Sequence, residues 1–301
     1  MSSPQYSVEG MVGPGANTLS WPYVFNRTYG LYGKNFFKYF RIGVVPAIVA
    51  YLCGYFLRIL KREMLEGIPF QSKGWLPINL VNGWLAGAVF WTISAFFLAA
   101  IAASFERMAD DDAPAVADAY TRPRNRLGAI VAIALLTWTL FWLGRTLAGF
   151  VIAGFSRPSP LILMKNVWLT GLYRLLLLLL AGLISKFALA IPELMHDLTL
   201  SAGSVMKTSL QRTENWELFF MGFLIKSAIV GYGAYWITDK GLDWLWNHWT
   251  YSRAIFPWIE RAVYIGIAAA LESPLFIACS ILSQELRAQP AATQDVVSDP
   301  T

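Results

Sequence analysis

The stretch that decides the fold is LLLLLLAGL, Leu175–Leu183, within an apolar segment that runs from Val167 to Ile191. A helix needs about 20 mostly apolar residues to cross the roughly 30 Å hydrocarbon core of a bilayer. The segment is long enough, and Arg174 and Lys186 are its only charged residues. The stretch therefore predicts a transmembrane helix.

Five further segments on either side of this one have similar length and hydropathy: Ile42–Leu60, Gly83–Phe105, Leu127–Phe155, Trp216–Thr238 and Ala262–Ser283. A buried helix of a soluble protein could account for one such run, but not for six in one chain. We predict an all-α, polytopic membrane helical bundle of six transmembrane helices with short interfacial helices. Its domains are a polar and amphipathic segment at 1–41, the membrane domain at 42–283 and a disordered tail at 284–301.

The composition agrees with a membrane protein. Of the 301 residues, 56% are apolar and 14% are charged, against about 25% charged in soluble domains. This balance excludes intrinsic disorder, coiled coils and disulfide scaffolds. The net charge of +5 fits cytoplasmic loops and anionic lipid. The basic residues form no run, so nucleic acid is not an expected partner.

A repeat is suggested by Asn35, Asn125 and Asn215, which follow one another at intervals of 90 residues near the starts of alternate predicted spans. An amphipathic segment leads into each of these spans. The three segments are Ala16–Lys38, Asp111–Arg126 and Ser201–Glu214. We expect three copies of one unit, an interfacial helix followed by a helical hairpin, with chance recurrence as the alternative.

Basic residues set the expected orientation. With both termini in the cytoplasm, the inner segments hold twelve Lys and Arg residues and the outer segments hold eight, as the positive-inside rule favours. Pro46 and Pro274 stand inside predicted spans, where proline produces kinks. Gly83 and Gly87 form a GxxxG pattern that permits close helix approach.

One region resembles a known family. Phe187–Ile225 contains a span that ends near a proline, an amphipathic helix with Lys207-Thr208, and a polar turn with Asn215-Trp216. Asp118–Ile130 repeats the pattern more weakly. This arrangement is similar to the membrane domain of bacterial glycerophosphoryl diester phosphodiesterases and of stand-alone homologues without assigned function. The resemblance implies a multi-pass fold in a bacterial cytoplasmic (inner) membrane. The catalytic domain of those enzymes has no counterpart in this chain.

Enzyme motifs are missing from the sequence. His196 and His248 fall at opposite membrane faces in the expected topology, so they cannot share a metal or a haem. The chain has no metal-ligand cluster, nucleophile elbow or phosphate-binding loop. Asp110, Asp111 and Asp112 fit a solvated loop better than a cation site. We therefore expect no enzyme activity, no cofactor and no metal.

Charged residues inside the predicted spans are stronger candidates for a functional site, because a charge is costly in a bilayer. Lys226 lies twelve residues before Thr238, and Glu272 lies twelve residues after Glu260. At 1.5 Å per residue, both are about 18 Å from the outer end of their helices. We expect them to pair or to share a polar cavity, either as a relay or as a structural ion pair.

Two arginines and six interfacial residues complete the predicted sites. Arg145 and Arg174 lie in the outer halves of their spans, where they could bind a lipid phosphate or snorkel to the interface. Lipid contacts are expected at the membrane surfaces. The six contact residues are Arg27, Lys34, Lys207, Arg212, Trp244 and Trp246.

Two functions remain open. The first is a non-enzymatic integral membrane protein, a subunit or scaffold that interacts with membrane lipids, with partner membrane proteins or with further copies of itself. The second is a small-molecule or lipid transporter that uses Lys226 and Glu272 at mid-membrane. A packed interior would favour the first function, and a polar cavity reaching Lys226 would favour the second.

Overall fold

The computed structural model describes residues 21–66, 75–108, 116–155, 167–213, 217–248 and 255–288, and these residues are helical apart from short turns. The description leaves out the side chains of residues 21, 65, 75–77, 106–108, 153–155, 167–170, 217–221, 223–232 and 288. In chain order the helices are α1 Trp21–Lys34, α2 Phe36–Leu65, α3 Trp75–Met108, α4 Val116–Asn125, α5 Leu127–Phe155, α6 Val167–Ser185, α7 Ala190–His196, α8 Ala202–Thr213, α9 Glu217–His248 and α10 Phe256–Ala288.

Five helical stretches are long and apolar enough to cross a membrane. They are Phe36–Met64, Ile78–Phe105, Leu127–Ile152, Gly171–His196 and Phe256–Arg287. These helices indicate a multi-pass membrane protein. A sixth predicted span, Trp216–Thr238, has most of its side chains outside the described part, and its backbone there belongs to α9.

Local sequence explains several helix boundaries. Pro22, Pro77 and Pro257 stand in the first turns of α1, α3 and α10, where a missing N–H costs nothing. Asn35 forms a one-residue turn between α1 and α2, and its backbone N–H still donates to the carbonyl of Leu31 at 3.1 Å. The chain therefore enters α2 directly from α1.

The long helices pack in a closed order. Each contacts the next in the series α2, α3, α5, α6, α9, α10, and α10 contacts α2 again. α3 also packs against α10, α4 and α7, so it lies at the centre of the described bundle. Each short helix contacts a longer neighbour: α1 packs on α10, α4 on α3, and α8 on α7 and α5.

Small side chains allow α3 to occupy this central position. Ala99 and Ala100 are fully buried, and Ile101 beside them has no exposed surface. The rings of Phe97 on α3 and Phe276 on α10 meet edge to face, with their centroids 4.9 Å apart. The interface between α3 and α10 is therefore filled by apolar groups.

Close helix approach is confirmed at one of the two glycines of the GxxxG pattern. A Cβ added to Gly87 on α3 would lie 1.8 Å from Cζ2 of Trp138 on α5, whereas one added to Gly83 would meet nothing within 4 Å. The indole N–H of Trp138 donates to the carbonyl of Trp84 at 2.8 Å. Gly87 thus forms a notch for the Trp138 ring.

Several helix boundaries differ from the sequence prediction; α2 begins at Phe36, for example, six residues before Ile42. α9 continues ten residues past the expected end at Thr238, because Asp239–His248 contains no proline to stop it. α10 continues through Gln284–Ala288, which we had assigned to the tail, and its last residues make side-chain contacts there. The expected span from Val167 to Ile191 is interrupted by turns at residues 186–189.

Candidate functional site

A tyrosine of α1 caps the backbone where proline interrupts α10. Pro274 has no N–H to donate to the carbonyl of Ala270, one turn earlier. The hydroxyl of Tyr32 donates to this carbonyl oxygen at 2.9 Å. A buried carbonyl without a donor is costly, above all in a bilayer. Tyr32 therefore satisfies α10 and holds α1 against it.

A second tyrosine does the same for α2. Pro46 cannot donate to the carbonyl of Ile42, and the hydroxyl of Tyr120 on α4 donates to that oxygen. The Tyr120 ring also stacks on Phe96 of α3, with centroids 5.8 Å apart. Tyr120 thereby joins α4 to both helices of the first hairpin.

The third short helix uses smaller hydroxyl groups. Ser209 of α8 donates to the carbonyl of Lys186 at 2.5 Å. The Thr213 hydroxyl lies 3.3 Å from the same oxygen but closer, at 2.8 Å, to the carbonyl oxygen of Ser209. The Lys186 carbonyl lies where α6 ends in a turn. Each of α1, α4 and α8 thus supplies a hydroxyl to a backbone carbonyl that the interrupted helix leaves open.

Burial raises the pKa of Tyr32 and of Tyr120 above the ordinary value of 10. The folded protein therefore holds these protons more tightly than the unfolded chain does. Their stabilising contribution is complete below pH 10 and is lost as the pH rises through the folded-state pKa. The caps depend on this proton, because a phenolate has none to donate.

We expect Tyr120→Phe to lower the free energy of unfolding by about 1–3 kcal/mol at neutral pH, because the Ile42 carbonyl loses its donor. Above pH 10 the parent protein should lose stability more steeply than the variant. Detergent-solubilised protein unfolded between pH 7 and pH 11.5 gives the measurement. Tyr29→Phe, at an exposed ring, is the control, and equal effects of the two changes would contradict the cap.

A buried carboxylate joins α7, α8 and α10. Glu193 is 3% exposed, and its Oε1 accepts hydrogen bonds from Nη1 of Arg212 at 2.6 Å and from the hydroxyl of Ser283 at 2.8 Å. Nε of Arg287 lies 3.9 Å from the same oxygen. Two cations therefore share one carboxylate among three helices.

A second polar cluster lies on the neighbouring side of α10. Glu285 forms an ion pair with Arg27 of α1 and accepts a hydrogen bond from the hydroxyl of Tyr23 at 2.8 Å. Nη2 of Arg27 also donates to the side-chain oxygen of Gln284 at 3.3 Å. Burial and the bond to Glu285 raise the pKa of Tyr23. The last turns of α10 therefore hold α1 on one side and α7 and α8 on the other.

The pairing of Lys226 with Glu272 stays a prediction. Lys226 belongs to α9, but its side chain is outside the described residues. Glu272 lies half-buried on α10, within the membrane-spanning stretch. Among the side chains that the structure describes, Glu272 has no ion-pair partner.

The two predicted span arginines are exposed on neighbouring helices, Arg145 on α5 and Arg174 on α6. Neither forms a hydrogen bond or an ion pair with the described part of the chain. The helices approach closely beside Arg145, because a Cβ on Gly144 would lie 2.7 Å from the Leu180 methyl carbons. Binding of a lipid phosphate by either guanidinium group stays a prediction.

The six predicted interfacial residues fall into two groups. Lys34, Lys207 and Trp246 are exposed, and so is Trp244, which stacks on His248 with ring centroids 4.6 Å apart. Arg27 and Arg212 are one-third exposed and are engaged in the ion pairs described above. Sequence reasoning missed Glu193 and Glu285 as their partners.

No group of three or more potential metal ligands occurs among the described residues. Asp110, Asp111 and Asp112 lie outside them. Comparisons of the chain with models of known protein families, with curated proteins and with solved structures find no match.

Proposed function

We propose that the chain is a non-enzymatic integral membrane protein that acts as a subunit or scaffold of a membrane assembly. The observation that carries this proposal is how its buried hydroxyl groups are used. Ser104, Thr137, Ser273 and Ser280 each donate to a carbonyl four residues earlier in their own helix, at 2.8–2.9 Å. These four hydroxyl groups are satisfied within their own helices, while the buried hydroxyl of Thr28 and the buried amide nitrogen of Asn82 have no hydrogen-bond partner among the described residues.

The outward surface supports the same proposal. α5 and α6 present a band of large apolar side chains, about half exposed. Its members are Leu136, Leu140, Leu143, Leu147, Phe150, Leu172, Leu175, Leu178, Leu179 and Leu183. A band of this size suits acyl chains or the helices of a partner, including a second copy of this chain.

The proposal includes a three-fold repeat of helical hairpins with six spans. The first long helix of each unit, α2, α5 or α9, contacts the second long helix of the preceding unit, with the first unit closing on the third. The lead-in helices α1 and α4 follow the same rule, since they pack on α10 and α3, whereas α8 packs on α7, the short helix that follows α6. This cyclic pattern supports the repeat.

We further propose placement in a bacterial inner membrane with both termini in the cytoplasm, on the basis of the charge bias of the loops. Kinship with the membrane domain of glycerophosphoryl diester phosphodiesterases is part of the same proposal. It rests on the Lys207-Thr208 helix, which here is α8 and follows the interrupted end of α6.

A test of the subunit function begins with mild solubilisation from the native membrane. We expect partner proteins to co-purify in fixed proportion, or the mass to correspond to several copies of the chain. Native mass spectrometry of the purified particle gives both quantities. A monomer accompanied only by lipid would contradict the proposal.

The transporter remains a second candidate because Glu272 is half-buried within a span and has no described ion-pair partner. An unpaired carboxylate at this depth is expensive unless it faces water or a partner. Flux measurements on Lys226→Met and Glu272→Leu variants would distinguish a relay from a structural pair. Only a relay loses flux while the protein stays folded.

A further inference from the structure

The exposed face of α2 has the dimensions of a bilayer. Val45, Ile48, Leu52, Tyr55 and Ile59 recur every three or four residues and are all 40–51% exposed. We call them the α2 lipid stripe. Such spacing places them on one side of the helix.

Basic residues bound this stripe at both ends. Lys38 and Arg41 precede it and Arg58, Lys61 and Arg62 close it, and all five are exposed. Arg41 and Arg62 are 21 residues apart, which is about 31 Å along a helix. The hydrocarbon core is about 30 Å thick, so both groups fall at headgroup level.

The two basic ends differ in shape. At the C-terminal end of α2, Arg58, Lys61, Arg62 and Glu66 line a pocket of about 430 Å³ that is largely open. Three cations against one carboxylate leave the pocket positively charged.

We propose that this pocket binds the phosphate headgroup of an anionic phospholipid whose acyl chains lie along the α2 lipid stripe. Arg58, Lys61 and Arg62 follow one another at spacings of three and one residues, so their charges converge on one side of the helix. Each guanidinium group can donate two parallel hydrogen bonds to a phosphate, and the ammonium group of Lys61 adds a point charge. The Glu66 carboxylate repels a phosphate that approaches from solvent and can accept a hydrogen bond from a headgroup hydroxyl.

The apolar side chains explain why a lipid should occupy the pocket. Tyr55 is 51% exposed and Ile59 is 42% exposed, and they precede Arg58 and Arg62 by three residues each, so they share that side of the helix. A soluble phosphate ester would contact the cations alone, whereas a phospholipid also contacts these two members of the stripe. The inference deepens the lipid interaction of the proposed function and rests on the membrane placement given there.

The test uses the full-length protein in detergent and titrates phosphatidylglycerol, with native mass spectrometry as the readout. We expect the triple variant Arg58→Gln, Lys61→Gln and Arg62→Gln to bind this lipid at least about tenfold more weakly than the parent protein does. A matched triple variant, Lys34→Gln, Lys38→Gln and Arg41→Gln, loses the same charge where α1 ends and α2 begins. It should bind at most about threefold more weakly.

Several outcomes would overturn the proposal. Equal weakening in both triple variants would mean diffuse surface charge without a site. Displacement of the lipid by glycerol phosphate would identify a soluble phosphate ester as the occupant. Unchanged lipid affinity with loss of a co-purifying protein would make the pocket a protein contact. The single variant Lys61→Gln, at an exposed position, keeps the test valid if the triple variant does not fold.

These outcomes also separate the lipid site from the proposed subunit function. A pocket variant that loses phosphatidylglycerol but keeps its partner proteins would support the lipid site and leave the assembly role intact. A parent protein that binds the lipid but purifies without partners would support the lipid site and contradict the assembly role.

Discussion

Gly87→Val should lower the free energy of unfolding by about 3 kcal/mol, at the upper end of the cost of overpacking a filled interior. Three atoms of the Trp138 ring lie 1.8–2.4 Å from the position of a Cβ on Gly87. The new side chain must displace the indole or separate α3 from α5. Displacement also breaks the bond from the indole N–H to the carbonyl of Trp84.

A matched control lies one turn earlier on the same helix. Gly83→Val carries the same change in helix propensity and backbone entropy, but a Cβ at Gly83 meets nothing within 4 Å. Unfolding of both variants by a denaturing detergent, followed by Trp fluorescence, compares them directly. Equal losses at the two positions would show that the notch contributes nothing.

A double variant separates packing from propensity. Trp138→Leu removes the ring that fills the notch, so Gly87→Val should cost less in that background than in the parent protein. The difference is the coupling energy of the two residues. Additive costs would mean that the valine acts on α3 alone.

The positions of most long helices could be predicted from hydropathy, because a span needs only a run of apolar residues. The interruptions were harder to predict. α9 continues past the predicted end at Thr238. Hydropathy shows where apolar residues end, whereas a helix ends where its backbone hydrogen bonds end, and the two positions need not coincide. The break at residues 186–189 begins at Lys186, one of the two charged residues of the apolar run, but a single charge does not by itself predict a turn.

The sequence indicated the acceptor carbonyl of each proline cap but not the hydroxyl that donates to it. Pro46 and Pro274 marked two open carbonyls, but their donors, Tyr120 and Tyr32, are 78 and 238 residues away from the carbonyls that they cap. Contacts between distant segments follow from packing, which one sequence does not reveal. The same holds for Glu193, whose hydrogen-bond partner Ser283 is 90 residues away.

The caps and the two polar clusters assign a common role to the short helices. In a bilayer, a hydroxyl or a charge at a helix interface is costly unless it is satisfied there. α1 satisfies a proline-freed carbonyl and Glu285, while α8 satisfies the end of α6 and Glu193. Apolar packing holds the long helices together, whereas polar contacts fix where the short helices attach.

Removal of the Glu193 carboxylate is the strongest test of the idea that polar contacts fix where the short helices attach. Glu193→Leu should lower the free energy of unfolding by about 3–5 kcal/mol, because it leaves Arg212 and Arg287 close together without their shared anion. Glu193→Gln should cost less, since the amide oxygen can still accept from Ser283. Unfolding in a denaturing detergent, monitored by circular dichroism, gives the values.

Two further variants identify the cause of this loss. Glu63→Leu removes an exposed carboxylate from α2 and should change the unfolding free energy by less than about 0.5 kcal/mol, as surface substitutions do. Adding Arg212→Leu to Glu193→Leu removes one of the stranded cations and should restore part of the stability. If the double variant were less stable than Glu193→Leu, repulsion between Arg212 and Arg287 would not be the source of the loss. The carboxylate would then act through its hydrogen bond to Ser283, which joins α7 directly to α10.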